Sequence, residues 1–227
     1  MKKIFKLFLF YFSFFILCLV LFFPYLFRMN HKKLLTLFTK YVLFLFENVL
    51  GIKSKINGEI PNFVCIVASN HESSWETCAL WYYFNNPSFF LKKELLNIPI
   101  LSNVLKTNNS VVIDRENTNI LSIISNTKKN IKKGYKNFVI FPEGTRYKKK
   151  ANYQKGKYQP GVYYIAKFLK IPVIPVGLNS GKFFPPGGIE INSGTISINI
   201  GDPIDTELNE KDFMVKLKSE IEKLSNG

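Results

Sequence analysis

The first fifty residues are patterned unlike the rest of the chain. Residues 7–23, LFLFYFSFFILCLVLFF, are apolar apart from Tyr11 and Ser13, so a helix formed here has no polar face to turn toward water. Seventeen residues at 1.5 Å each make about 25 Å, enough to cross or nearly cross a bilayer core of ~30 Å. The run is longer than the roughly 7–15 residues of a signal-peptide core, and no small-residue cleavage site follows it. A second stretch, residues 34–52, has helical spacing but carries Lys40 and Glu47, which suits an interfacial helix lying against the first. Lys2, Lys3 and Lys6 precede the apolar run while Arg28, Lys32 and Lys33 follow it. The positive-inside rule therefore gives no direction, and an oblique helix with both ends on the cytoplasmic side fits the symmetry. Twelve of the 22 phenylalanines fall before residue 51, which is hard to reconcile with a soluble front end. His31, in the basic linker, reads as a polar residue at headgroup level.

From about residue 56 the pattern changes to short β-rich runs separated by turn signals. Residues 63–69, 110–115, 137–144, 171–178 and 195–204 read as strands. Helical spacing recurs over 73–85, 92–106, 117–133 and 160–169, and 207–225 reads as a charged terminal helix. Strands alternating with helices predict an α/β fold, a largely parallel sheet flanked by helices, with an N-terminal membrane-embedded two-helix element in front. The division expected is 1–55 for the anchoring helices and 56–227 for the domain that carries the chemistry. In parallel sheets functional groups collect at strand C-terminal ends. Those ends here read Asn70-His71, Asp114-Arg115, Glu143-Gly144-Thr145-Arg146 and Asn179-Ser180.

Charge narrows the partners. The chain has 31 basic and 16 acidic residues, net +15, which suits an anionic partner: nucleic acid, a phospholipid surface or a phosphorylated substrate. The lysine-rich loop at 147–159 contains no nucleic-acid-binding motif and the front end anchors to membrane, so no nucleic acid partner is expected. Only three of the basic residues are arginines, Arg28, Arg115 and Arg146; a guanidinium kept among so many lysines points to its fork geometry. Cys18, Cys65 and Cys78 lie in or beside apolar stretches without metal-ligand spacing, and no metal is expected.

The candidate chemistry centres on NHESSWET, residues 70–77. His71 and Glu76 are five positions apart, which on an ideal helix leaves them about 140° from each other. They can meet only across a turn. A carboxylate on Nδ1 would set the imidazole tautomer and support a general base. Equally, Ser73-Ser74-Trp75-Glu76 matches a capping box, in which Glu76 does no more than bond the cap backbone. No G-x-S-x-G elbow supplies a serine nucleophile, so a base here would act on a substrate hydroxyl directly. In FVIFPEGTR, residues 138–146, Gly144 permits a tight turn that directs Thr145 and Arg146 at one site, where Arg146 would fork onto a phosphate beside Glu143. SVVIDR places Arg115 in the same way. The competing reading makes both arginines members of surface ion pairs.

Taken together and in order, NHESSWE, VVIDR, FPEGTR and IPVIPVGL resemble the four sequence blocks of the 1-acylglycerol-3-phosphate O-acyltransferases, the PlsC-like glycerolipid acyltransferase family. The resemblance runs from about residue 56 to 204. It implies an acyltransferase domain that moves a fatty acyl group from acyl-CoA or acyl-carrier protein, as co-substrate and without a cofactor, to the sn-2 hydroxyl of lysophosphatidate, giving phosphatidate. By position His71 would be the base and Glu76 would stand for the family's aspartate. Arg115, Glu143, Gly144, Thr145 and Arg146 would form the phosphate and acceptor site, and the block around Pro172 and Pro175 would support the acyl-donor side. The resemblance also implies membrane phospholipids as partners and residence on the cytoplasmic face of the bacterial inner membrane. Glu76 is one methylene longer than aspartate, and Gln159 stands where many members carry a lysine, a contact for which Lys155 or Lys157 would substitute. Two other readings accompany this one: an acyltransferase for another lysophospholipid or a lyso-aminolipid, suggested by Gln159, and a catalytically inactive basic membrane-binding protein.

Overall fold

The computed structural model describes residues 2–26, 30–97, 108–114, 119–146 and 158–227. Helices α1 (Lys2–Leu26) and α2 (His31–Asn48) lead into a seven-stranded sheet of β1 (Ile52–Asn57), β2 (Cys65–Ser69), β3 (Ser88–Lys92), β4 (Val111–Ile113), β5 (Asn137–Ile140), β6 (Val173–Leu178) and β7 (Gly194–Ile200). The remaining helices are α3 (Trp75–Tyr83), α4 (Ile120–Lys132), α5 (Gly161–Leu169) and α6 (Glu210–Asn226). The strand order is β1-β7-β6-β2-β5-β3-β4. Every pairing is parallel except β6 with β7. The sheet is thus largely parallel, as the strand and helix alternation requires.

The strands alternate sides at a period of two. In β2, Cys65 and Val67 face one core and Ile66 and Ala68 the other, and β5 divides Val139 from Phe138 and Ile140 in the same way. The first core packs under α1, α2 and α3 and includes Phe46, Trp75 and Leu80; the second packs under α4, α5 and α6 and includes Ile123, Val162 and Phe213. Burial on both faces explains why the central strands read as continuous apolar runs.

All five strands expected from sequence are present within their ranges, except that the last begins one residue earlier, and two further strands were not expected. β1 is IKSKIN, an edge strand whose exposed Lys53 and Lys55 gave it the look of a polar linker; such charges keep an open edge from pairing with other chains. It begins at Ile52, ahead of the expected boundary at residue 56. β3 is SFFLK, too short between Pro87 and the following lysines to declare itself. Of the helix expected over 92–106, the described part is a single 3₁₀ stretch, Lys93–Asn97.

The front end differs from a matched pair of membrane helices. Lys3–Phe22 is long and apolar enough to cross a bilayer, with mean hydropathy 2.5 and only 6% of the window buried. Among the described residues it is the single helix that meets those criteria. α2 instead buries Thr39, Val42, Leu45 and Phe46 in the first core, because its Lys40 and Glu47 face outward. α1 is fastened to the rest mainly through Phe10, which packs on Phe46 and Phe184, and through Tyr11, whose hydroxyl donates to Gly188 O at 2.8 Å.

On the other face α6 lies directly on β6. A Cβ placed on Gly177 would fall 2.3 Å from the Leu224 carbonyl carbon and 2.4 Å from Ser225 N, so only glycine lets the helix backbone approach the strand this closely. Gly177→Ala is expected to cost about 1–3 kcal/mol, lowering Tm by roughly 2–12 °C. Thermal unfolding in a neutral detergent checks this, and an unchanged Tm would mean α6 is free to move off the strand.

Candidate active site

The parallel order β6-β2-β5 brings three strand ends together. Asn70 and His71 follow β2, Phe141 to Arg146 follow β5, and Asn179 and Ser180 follow β6. Asn70, buried, closes the gap between β2 and β6: its Nδ2 donates to Leu178 O at 2.7 Å and its Oδ1 accepts from Leu178 N at 2.8 Å. A side-chain amide that offers one donor and one acceptor continues the sheet where the backbone of β2 turns away.

The turn that follows brings His71 to Glu76. Nδ1 of His71 lies 2.7 Å from Glu76 Oε2. The other carboxylate oxygen, Oε1, accepts from the Glu72 backbone N–H at 2.8 Å and from the Ser180 hydroxyl. Glu76 is fully buried, whereas the His71 side chain is 15% exposed. A buried carboxylate is costly without donors, and here three converge on it. The extra methylene relative to aspartate is taken up within this network, so the contact to the imidazole is made. Because the carboxylate accepts at Nδ1, the neutral ring carries its proton there and leaves Nε2 as the basic nitrogen.

The capping box takes a different form from the one the sequence suggests. The N-cap of α3 is Ser74, without a side-chain cap bond, and Ser73 Oγ accepts instead from Trp75 N at 3.2 Å. Glu76 bonds the backbone one residue earlier than a capping box would, at Glu72. One oxygen therefore holds the turn while the other meets the imidazole.

FPEGTR forms the facing wall. The Phe141 ring stacks on the His71 ring with centroids 3.9 Å apart and planes 15° apart, which fixes the plane of the imidazole. The turn closes through Gly144 N donating to Phe141 O at 2.9 Å, with Gly144 at φ +67°, a conformation that suits glycine. Gln159 N donates to Pro142 O at 2.9 Å, docking the segment before α5 onto the turn. Burial first, and then the charges of Glu143, Glu222 and Glu72, push the Tyr158 phenol well above its ordinary value. Glu143 is buried, Thr145 half-buried and Arg146 exposed. Among the described residues Arg146 forms no ion pair with Glu143. Arg115, Lys155 and Lys157 lie outside the described residues. Asp114, at the far edge of the sheet, accepts from Lys93 at 2.7 Å.

Asn70 and Ser180 belong to this network, although from sequence they read only as polar residues at strand ends. Neither sits in a motif that specifies its partner; the pairing depends on β2 and β6 being neighbours, which strand order alone decides. Cys65 and Cys78 are not nucleophiles at neutral pH, because burial pushes both thiols up to about 12. Cys18 is exposed on α1.

Comparison with known proteins bears on the family and the fold. Residues 53–179 match the Acyltransferase family. The chain is 31% identical over 185 residues to the 1-acyl-sn-glycerol-3-phosphate acyltransferase of Pseudomonas aeruginosa, covering 80% of this chain and 70% of that protein. It is 27% identical over 169 residues to the enzyme of the same name from Saccharomyces cerevisiae, covering 72% of this chain and 55% of the yeast protein. The crystal structure of the 1-acyl-sn-glycerophosphate (LPA) acyltransferase PlsC from Thermotoga maritima superposes with a TM-score of 0.77 at 22% identity, over 100% of this chain and 97% of that one, which establishes the shared fold. By its sequence blocks, its matched span and its relatives, this chain belongs to the acyltransferase family that contains the PlsC-like 1-acyl-sn-glycerol-3-phosphate acyltransferases.

Proposed function

We propose that the protein transfers a fatty acyl group from acyl-CoA or acyl-carrier protein to the sn-2 hydroxyl of 1-acylglycerol-3-phosphate, forming phosphatidate. The observation that carries this reading is the 2.7 Å contact between His71 Nδ1 and the buried Glu76, opposite the FPEGTR turn. An oriented imidazole that, among the described residues, has no serine or cysteine side chain hydrogen-bonded to it suits deprotonation of a substrate hydroxyl.

In this mechanism Nε2 of His71 takes the proton of the acceptor hydroxyl as its oxygen attacks the thioester carbonyl. A backbone N–H of the turn after β2 stabilises the tetrahedral oxyanion. Collapse breaks the C–S bond, and the imidazolium returns its proton to the thiolate that leaves. Glu76 stabilises the imidazolium while it exists. Arg115 and Arg146, with Glu143, Gly144 and Thr145, hold the phosphate so that the hydroxyl faces His71, an orientation effect worth about 7–11 kcal/mol at best. Arg146 stands exposed at the rim, where a charged headgroup arriving from a membrane meets it first. α1 embeds in the cytoplasmic leaflet of the membrane with α2 alongside it, so that the acceptor and the acyl chains remain in lipid while the reacting groups meet the protein. The site residues and the depth of insertion are parts of this proposal.

The decisive experiment is phosphatidate formation by the detergent-purified protein from lysophosphatidate with either donor. His71→Ala should lower kcat at least about 100-fold, the low end of what a general base contributes; equal turnover in wild type and variant would remove His71 from the mechanism. Arg146→Lys should raise the KM for lysophosphatidate by roughly tenfold, the loss of one forked hydrogen bond, with the donor KM nearly unchanged. An unaltered acceptor KM would dismiss the phosphate clamp. Ser180→Ala should lower kcat by about 10- to 100-fold, as removal of a hydrogen bond to a charged group does, leave the acceptor KM close to wild type, and shift the pH profile of kcat. A loss confined to Tm would reduce Ser180 to a packing role.

A further inference from the structure

A second polar cavity opens at the opposite end of the sheet. It encloses about 400 Å³ between the N-terminal ends of β2, β3 and β5 and the first turn of α2, a size in the range of small-molecule sites. Lys32, Lys133 and Lys136 line it, and among the described residues no carboxylate does. Asn137, the first residue of β5, is in its wall, whereas Phe141, which stacks on His71, follows the last. Four residues of strand separate the two sites by roughly 13 Å, so this cavity is not part of the acceptor site.

The three lysines are held by neutral groups. Lys136 Nζ donates to Asn62 Oδ1 at 2.7 Å, Lys133 Nζ donates to Asn109 Oδ1, and Lys32 Nζ lies 5.4 Å from the centroid of the Tyr135 ring. Asn109 in turn donates to the Tyr135 hydroxyl at 3.0 Å, which joins the partners of Lys133 and Lys32. Amide oxygens and an aromatic face orient an ammonium group without neutralising it. Lysines serving only to tie the loops together would be expected on carboxylates; here their charge is left to act on whatever enters. The position adds to this. Lys32 is in the first turn of α2, a few residues beyond the end of α1, so with α1 in a bilayer the mouth of the cavity lies at headgroup level. A cluster of cations at that level attracts anionic lipid.

We propose that this cavity binds a phosphate group, that of an anionic phospholipid headgroup in the membrane that holds α1. The membrane part rests on the reading of α1 above, but the test needs neither a bilayer nor acyl transfer, so its failure would leave the catalytic assignment untouched. The full chain in a neutral detergent is titrated with dihexanoyl-phosphatidylglycerol, dihexanoyl-phosphatidylcholine or inorganic phosphate, and Tm is followed. Phosphatidylglycerol is expected to raise Tm by about 3–6 °C at ten times its dissociation constant, phosphatidylcholine much less. Lys133→Gln with Lys136→Gln should abolish that rise, while Lys211→Gln with Lys216→Gln on the exposed side of α6 should keep it. The ligand-free Tm of each variant reports whether it folds, and Lys32→Gln in the wild-type background provides an independent loss if the first double variant does not. An equal rise with inorganic phosphate, lost in the same variants, would retain the phosphate site and assign it to the free ion. No rise with either phosphate, or a rise that survives in the Lys133/Lys136 variant or falls equally in the α6 control, would overturn the proposal.

Discussion

A fully buried carboxylate must find its hydrogen bonds within the protein, and Glu76 finds them in three separate places. The imidazole of His71 and the backbone of Glu72 come from the turn after β2, and the hydroxyl of Ser180 from the turn after β6. Those two turns are adjacent only because β2 and β6 pair, and Asn70 extends that pairing by one more rung. The consequence runs both ways along the chain. The sheet order fixes where the imidazole stands, and the carboxylate in turn fastens the first turn of α3 against the sheet. The close fit continues at Gly181, where a Cβ would come within 2.7 Å of Glu72 Oε2, so the turn after β6 has little freedom to withdraw.

This network explains which parts of the site were legible in the sequence. His71 and Glu76 announced themselves by residue type, and their five-residue spacing required a turn between them. The spacing could not choose between capping and catalysis, because the answer lies in how the two oxygens of one carboxylate are shared. Ser180 carried no such signal: its partner is more than a hundred residues away, and only the long-range pairing of β2 with β6 brings them together. The same holds for the fold. Buried strands such as FVCIVAS and IPVIPVGL stand out as apolar runs, whereas β1, with two exposed lysines inside it, and β3, between Pro87 and Lys93, depend on neighbouring strands for their conformation more than on their own residues.

The α1–α2 pair shows the same division between local pattern and tertiary use. The first stretch reads as an apolar helix and the second as an interfacial one lying against it, yet α2 is a working part of the first core, since its buried stripe meets α3 and β1. α1 touches that core along one stripe, Leu7, Phe10, Phe14 and Leu17, and leaves Phe5, Phe8, Phe12 and Phe15 exposed. An apolar surface of that extent on a protein in water would be a liability. In a bilayer, where the proposal places α1, that surface would become the favourable term, and the contacts to the core would need only to orient the helix.

Orientation then links the two ends of the sheet. α1 and α2 run antiparallel, with Phe10 on Phe46 and Phe14 on Phe38, so the N-terminal half of α1 shares a side with the strand ends that carry His71, and the first turn of α2 brings Lys32 beside Lys133 and Lys136. A helix inserted obliquely with both ends at headgroup level would bring both poles of the sheet to the membrane surface together. Glu47 and Lys40 on α2 fit this geometry, because a helix lying along the interface keeps its charges in water while its buried stripe faces protein. Under the two proposals above, the catalytic pole would receive its substrate laterally from the leaflet and the cationic pole would oppose rotation of the domain about α1. The charge symmetry on either side of the apolar run, which gives no direction for a spanning helix, fits the proposal of a domain held at two points on one surface.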